Sequence, residues 1–190
     1  DGEYHYDIIS AFIKSIRGSD PNAAVYWLAR LIQGGETPKF IARRLIILAS
    51  EDIGNANPTA LVIANNTFQS VINIGFPEAR IILSQCVIYL ASSEKSNSSY
   101  LAINKAQKLV EDTGNLKVPL SLRNSPTKMM KDMGYGKDYK YSHDFNNNFV
   151  EQEFLPDEIV ETKLYEPAKN MKENKLREYL KLRWNSKYKY

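Results

Sequence analysis

The sequence has little of what most catalytic and metal-binding sites require. Its 190 residues include one cysteine and two histidines. A single cysteine excludes an internal disulfide, and no HExxH or CxxC pattern provides the ligand spacing of a zinc site. The sequence also lacks a GxxxxGK[ST] phosphate loop and a GxSxG nucleophile motif. We therefore predict no catalytic, cofactor or metal site within this chain.

Long hydrophobic runs are absent as well. The apolar run 81–91 is far shorter than the roughly 20 residues that a membrane-spanning helix needs. It contains Cys86, for which the expected role is that of a small buried hydrophobic residue. The chain begins Asp-Gly-Glu-Tyr-His, without a methionine or a secretory signal. These features predict a part of a longer cytoplasmic protein that does not enter a membrane.

Positive charge is concentrated near the end of the chain. The net charge is +3, but residues 145–162 carry five acidic residues and no basic one. Residues 163–190 carry nine lysines and arginines against three glutamates. Such a tail can attract phosphate backbones, although a solvated helix face is the commoner explanation.

Proline and glycine divide the first two-thirds of the chain into helices. Proline is tolerated in a first helical turn, and Asp, Asn, Ser or Thr before it can cap the free N–H groups. The pairs Asp20-Pro21, Thr37-Pro38, Asn57-Pro58 and Ser125-Pro126 fit this pattern. We predict helix starts at 21, 38, 58 and 77, which leave room for helices of about 13–17 residues.

Apolar spacing predicts an all-α fold. One stripe comprises Ile8, Ile9, Phe12, Ile13 and Ile16, and residues 79–90 form another at helical spacing. A further helix is predicted over 98–113, ended by Gly114, and an amphipathic helix over 168–184. Hairpin signals between alternating strands are lacking. The expected architecture is an antiparallel helical array with an aromatic-rich ordered loop at 135–156 and a C-terminal helix.

The segment Val118–Phe145, here called the aromatic segment, differs in character from the helices before it. It combines a short helix, aromatic side chains and basic residues, which suits either of two roles. Interfaces between subunits are enriched in Tyr, Phe, Met and Arg, and basic surfaces with aromatic rings can bind nucleic acid. The interface candidates are Met129, Met130, Met133, Tyr135, Tyr139, Tyr141 and Phe145. The DNA-binding candidates are Arg123, Lys128, Lys131 and Lys137, with Lys95 from a predicted helix start that favours anions.

Several longer motifs resemble a known family. The segment 5–21, HYDIISAFIKSIRGSDP, resembles the region after the ATPase lid in the RarA/MgsA family, the bacterial counterparts of the Werner helicase-interacting ATPase. The resemblance extends over nearly the whole chain. Further motifs are YWLAR at 26–30, FIARRL at 40–45, ASEDIG at 49–54, PEAR at 77–80, KSN at 95–97, VPL at 118–120, LRN at 122–124, PTK at 126–128, GYGK at 134–137, YSHD at 141–144 and YEP at 165–167.

This resemblance implies the C-terminal half of a clamp-loader-related AAA+ ATPase that acts at replication forks, in recombination and in DNA repair. It implies a homotetramer held together by a collar-like all-α region, which binds DNA as the assembled protein. ATP and Mg²⁺ would bind in the N-terminal half, so the present chain would not be an enzyme by itself. Residues 1–75 would follow the ATPase lid and 76–190 would carry oligomerisation. Single-strand-binding or other replication proteins are expected partners, in the cytoplasm at the nucleoid.

Overall fold

The fold is all-α, as the sequence predicts. The computed structural model describes residues 2–190, and no β strand occurs in that range. Short π-helical and 3-10 turns connect some of the longer elements. The α-helices are α1 (Gly2–Arg17), α2 (Pro21–Gln33), α3 (Pro38–Leu48), α4 (Thr59–Ile74), α5 (Ala79–Ala91), α6 (Ser98–Thr113), α7 (Lys128–Asp132) and α8 (Met171–Tyr188).

Two of the predicted helix caps are confirmed. The Asp20 carboxylate accepts a hydrogen bond from the Ala23 N–H at 2.9 Å, at the start of α2. The Thr37 hydroxyl accepts one from the Phe40 N–H at 3.2 Å, at the start of α3. In both helices proline occupies the first position, where its missing N–H leaves no hydrogen bond unmade.

The other two predicted caps are wrong. The Asn57 amide donates to the Tyr89 hydroxyl at 2.8 Å instead of capping α4, which begins at Thr59. Thr127 caps α7, because its hydroxyl accepts the Met130 N–H at 3.2 Å. At Asn57 a tertiary hydrogen bond replaces the cap, and at α7 the local bond of Thr127 replaces the predicted one of Ser125.

The structure divides into two compact units. The first comprises the described residues up to Ala102 together with Pro167–Asn174, and the second comprises Ile103–Glu166 and Lys175–Tyr190. These units do not divide at residue 75, since α5 packs on α2, α3 and α4 within the first unit. The assignment of separate functions to 1–75 and 76–190 stays a prediction.

The hydrophobic core of the first unit lies among α1 to α5. Helix α1 packs on α2, α3 on α4, and both α2 and α4 on α5. Phe12, Leu31, Leu45 and Leu83 are among its fully buried side chains. Cys86 is buried here too, and burial raises the pKa of its thiol to about 11. Its predicted role as a buried hydrophobic residue is thereby confirmed.

A π-helical turn over Ala49–Ile53 follows α3 and buries a carboxylate. Asp52 accepts a hydrogen bond from Arg17 Nε at 2.8 Å, and its backbone carbonyl accepts the Ser96 N–H at 2.7 Å. The hydrogen bond to Asp52 is the main cause that raises the pKa of Arg17. Side chain and backbone of Asp52 thus join α1 to the segment before α6.

The second unit is held together by aromatic contacts around α8. The rings of Phe149 and Phe154 pack edge-on to Trp184, with centroid distances of 5.2 and 6.4 Å. Lys187 forms an ion pair with Glu153 at 2.6 Å. The expected anchoring of the 135–156 loop by its aromatic residues is therefore found at its C-terminal end.

The predicted final helix needs correction. Helix α8 runs over Met171–Tyr188 instead of 168–184, and its one buried residue is the charged Glu173. An amphipathic helix would bury an apolar stripe, which α8 does not do in the described chain. Among the helices of residues 2–190, none combines the length and apolar character that a bilayer-spanning segment needs.

Candidate assembly interface

Residues 120–136 of the aromatic segment form a compact turn that depends on glycine. The Gly136 N–H donates to the Leu120 carbonyl at 2.8 Å, and the Tyr135 N–H donates to the Met130 carbonyl at 3.0 Å. Gly136 has φ +75°, and a Cβ there would lie 3.3 Å from the Arg123 carbonyl oxygen. A side chain at this position would meet both a strained backbone and a close contact. The turn holds α7 against the chain that precedes it.

Arg123 and Tyr135 form a structural pair inside this turn. The Arg123 guanidinium lies 4.9 Å from the centroid of the Tyr135 ring, and its Nε donates to the Val118 carbonyl at 2.8 Å. Both side chains are half-buried. The structure therefore brings a DNA-binding candidate and an interface candidate together as packing partners of each other.

Most interface candidates of the aromatic segment are exposed. Met129 is 67 % exposed and Tyr141 55 % exposed, whereas Met130 is half-buried. Large apolar side chains left open to water are unfavourable unless another surface covers them. The remaining exposed candidates are Met133, Tyr139 and Phe145.

The lysines of the aromatic segment lie in a surface of mixed charge. Lys128, Lys131 and Lys137 are exposed, and the last two line an open groove together with Lys140. Acidic residues outnumber these lysines in the groove, so it does not concentrate positive charge. The acidic residues are Asp132, Asp138, Glu153 and Asp157.

Lys95 belongs to the first unit and has other contacts. Its ammonium group donates to the carbonyls of Leu90 at 2.9 Å, Ala91 at 3.1 Å and Ser93 at 2.6 Å, and to the Ser19 hydroxyl at 3.0 Å. Burial lowers the pKa of this ammonium. The N–H groups of the Lys95 ammonium thus donate to carbonyl groups at the C-terminal end of α5, as those of basic residues often do at helix ends. Its role in DNA binding stays a prediction.

Helix α6 carries an apolar stripe that the sequence argument did not select, and its two large side chains are exposed while Ala106 is half-buried. Ser98 is its one buried residue in the described chain. Ile103, Ala106 and Val110 follow each other at spacings of three and four, which places them on one face of a helix. Ile103 is 55 % and Val110 59 % exposed. We call these three residues the α6 stripe; their helical spacing indicates a common face but does not distinguish an exposed face from a buried one.

Helix α8 has a similar exposed face. Leu176, Tyr179 and Leu182, here called the α8 stripe, are spaced by three residues, and Leu182 is 86 % exposed. Arg183 stacks on the Tyr179 ring, with 3.6 Å between its guanidinium carbon and the ring centroid. The exposed apolar side chains on α6 and α8 make both helices candidate interaction surfaces.

The start of α8 is anchored in the first unit by a buried carboxylate. Glu173 accepts hydrogen bonds from the Ser98 hydroxyl at 2.7 Å, the Ala168 N–H at 2.9 Å and the Asn170 amide at 3.0 Å. Burial by itself would raise its pKa, but these hydrogen bonds and one with Ser96 hold the pKa at about 2. We call this arrangement the Glu173 anchor.

The Glu173 anchor also caps the helix. The Asn170 side chain accepts the Glu173 N–H at 2.9 Å while its amide donates back to the Glu173 carboxylate. A polar residue followed by glutamate three residues later is the spacing of a capping box, so the sequence contained this signal. Within residues 2–190, the structure shows no cluster of three His, Cys, Asp or Glu side chains able to hold a metal ion.

Comparison with known proteins agrees with the resemblance noted in the sequence. The family described as MgsA AAA+ ATPase C terminal matches residues 18–184. Proteins named "Replication-associated recombination protein A" are 46 % identical in Coxiella burnetii, 42 % in Escherichia coli K12 and 46 % in Bacillus subtilis 168. These alignments cover 94 %, 96 % and 90 % of this chain.

The same alignments cover 41 % of each of the three relatives. The present chain therefore spans about two-fifths of their length. Its match to the family runs from the end of α1 to within α8 and so includes both compact units. The chain belongs to the MgsA AAA+ ATPase C-terminal family.

Proposed function

We propose that this chain is the self-assembly region of an AAA+ ATPase that acts in replication-associated recombination. Membership of the family supports the ATPase and recombination parts of this proposal. The exposed apolar side chains of the α6 stripe carry the assembly part. They belong to a regular helix that buries no apolar residue within its own chain.

A surface of this composition suits an obligate contact between copies. Stable homo-oligomer interfaces are more apolar than ordinary surface, with aromatic residues and methionine enriched. The second unit offers the α6 stripe, the α8 stripe and the exposed members of the aromatic segment. A homotetramer is the assembly that we propose, in agreement with the family resemblance.

ATP and Mg²⁺ are proposed to bind in a part of the parent protein outside this chain. The three relatives extend well beyond the present sequence, which has no phosphate loop of its own. Assembly of the C-terminal regions would then fix the spacing of the attached ATPase modules. DNA would be bound by the assembled parent, in the cytoplasm and with other replication proteins as partners.

Light scattering over a concentration series tests the assembly. We expect a mass four times that of the 21.7 kDa chain, because the apolar faces should remain covered in solution. A single-chain mass at every concentration would contradict the proposal and assign assembly to other parts of the parent.

Replacing Tyr139 and Tyr141 with serine is expected to weaken this assembly. Both rings are about half exposed in the chain, and each buried aromatic contributes on the order of 1 kcal/mol or more to an interface. The dissociation midpoint in the concentration series should move to higher concentration. Tyr6→Ser is a control, since Tyr6 is exposed on α1 of the first unit. An unchanged midpoint in the double variant would exclude these two rings from the interface.

DNA binding by the isolated chain is the second candidate function and stays a prediction. The exposed Lys128, Lys131 and Lys137 favour it, whereas the mixed charge of the groove that Lys131 and Lys137 line does not. Binding through phosphates would have to weaken steeply as salt is added.

A further inference from the structure

We propose that the groove between α1 and α3 binds an acidic peptide segment that carries a bulky apolar side chain. The groove lies entirely in the first unit and has a volume of about 490 Å³. That volume falls within the range of sites that bind small molecules or short peptide segments. This inference concerns a different unit from the assembly surface and does not depend on it.

The floor of the groove is apolar. Ile9 and Ile13 from α1 face it together with Phe40 from α3, and all three side chains are half-buried. Residues 9 and 13 are one turn apart on α1, so their side chains lie one above the other. An aliphatic or aromatic side chain inserted here would remove apolar surface from water on both sides.

Two cationic side chains at the rim have no partner. Lys14 and Arg44 line the groove, and neither side chain forms a hydrogen bond or ion pair with residues 2–190. Arg44 is half-buried and its Nε atom is fully buried without an acceptor. A buried donor without an acceptor is unfavourable, and a bound carboxylate would provide the missing oxygen.

Two other half-buried arginines are at least partly paired. Arg123 Nε donates to the Val118 carbonyl, and Arg183, whose Nε is also buried without an acceptor, donates from Nη1 to the Tyr179 carbonyl. Arg17 lines the same groove but already binds Asp52, with Glu51 3.9 Å away. Lys14 and Arg44 are therefore the cationic side chains of the groove that form no ion pair within residues 2–190.

The remaining lining favours an acidic ligand. None of the residues that line the groove is acidic, and Tyr6 and Ser10 add hydroxyl groups that can donate hydrogen bonds. A carboxylate placed between Lys14 and Arg44 would meet opposite charge without repulsion. Charge complementarity and an apolar floor together describe an acidic segment with one large apolar residue.

A peptide fits this groove better than nucleic acid does. Binding along a phosphate backbone uses a row of cations, and base stacking uses exposed aromatic rings. Here the two unpaired cations do not belong to a longer row, and of the two aromatic rings that line the groove only that of Tyr6 is exposed. Alternation of charged and apolar contacts is typical of short peptide motifs bound in grooves.

Fluorescence anisotropy with the 190-residue chain provides the test. The probe is a short fluorescein-labelled peptide in which Asp and Glu flank a Leu-Phe pair. We expect Arg44→Gln to weaken binding about tenfold, as loss of one charge-assisted hydrogen bond would. Arg43→Gln is the matched control, because Arg43 is the exposed neighbour on α3 and does not line the groove. It should bind as the wild type does.

Two altered peptides test the cationic rim and the apolar floor of the groove separately. Replacing the acidic residues by Asn and Gln, or Leu-Phe by Ser-Ser, should each abolish most of the binding. Circular dichroism of both arginine variants checks that the helices are intact.

Four outcomes would overturn the proposal. The first is that the wild type does not bind the peptide, and the second is that Arg43→Gln weakens binding as much as Arg44→Gln does. The third is that a labelled thymidine oligonucleotide binds in a way that depends on Arg44. The fourth is that Arg44→Gln changes the solution mass while peptide binding is retained. The third would assign the groove to nucleic acid and the fourth to a second copy of this chain.

Discussion

Replacing Ile103 and Val110 together with serine is expected to reduce the solution mass to that of a single 21.7 kDa chain. Both side chains belong to the α6 stripe and are more than half exposed in the isolated chain. Complete burial of an Ile or Val side chain is worth about 1.5–3 kcal/mol. Because each copy in an assembly contributes two such residues, every subunit of the double variant loses this free energy of burial.

The folded state of the subunit should survive this change. Neither residue belongs to the buried core, and substitutions of exposed residues usually alter the free energy of unfolding by less than about 0.5 kcal/mol. Val62→Ser is the matched control, since Val62 is 58 % exposed on α4 of the first unit. Light scattering and circular dichroism measure both properties. An oligomer of unchanged mass in the double variant would exclude the α6 stripe from the interface.

Glu173→Gln is expected to lower the free energy of unfolding by about 3 kcal/mol at neutral pH. The estimate follows from a pKa held at about 2 against an ordinary value of 4.5, at about 1.4 kcal/mol per unit. An amide would place N–H groups opposite the donors of Ser98, Ala168 and Asn170. A loss of this size is a large part of the 5–15 kcal/mol that stabilises a typical domain.

The effect of Glu173→Gln should depend on pH in one direction. A carboxylate whose pKa is lowered by folding stabilises the fold above about pH 4.5, and this contribution disappears as the pH falls toward 2. Urea unfolding at pH 7 and pH 3 should therefore give a larger difference between variant and wild type at pH 7. Glu178→Gln, an exposed position on the same helix, should show little change at either pH. A difference that is independent of pH would mean that Glu173 is not ionised in the fold.

The helical part of the fold was predictable because its signals are local. Asp20 and Thr37 cap their helices through atoms three residues away, and Gly114 ends α6 where the sequence predicts. Buried stripes such as Ile8, Phe12 and Ile16 depend only on helical spacing. Each of these features is decided within a few residues of sequence.

The candidate site was less predictable because its contacts are distant in sequence. The Glu173 anchor joins residues 75 positions apart, and Lys95 reaches Ser19 across 76 positions. Local patterns contain no information about such partners. The position of Lys95 near a helix start therefore predicts an anion site, whereas its ammonium donates to carbonyls at the end of α5.

Exposure of apolar residues could be inferred only in part. Methionine and tyrosine in the aromatic segment suggested an interface by composition, and most of them are exposed in the structure. The α6 stripe has the same spacing as a buried stripe, so sequence alone would place it in a core. Only the three-dimensional arrangement shows that Ile103 and Val110 are more than half exposed.

The division of the chain has a consequence for any attempt to dissect the protein. The polypeptide leaves the first unit after Ala102 and returns for Pro167–Asn174 before entering the second unit again. A shortened chain that stops before residue 167 would retain α1 to α5 but lose Glu173, the carboxylate to which the Ser98 hydroxyl donates. The first unit is thus discontinuous in sequence, and the ends of a separately folding piece cannot be chosen by cutting the chain at one point. Deleting the second unit alone would instead require a linker from residue 102 to residue 167 and an end of the chain at Asn174.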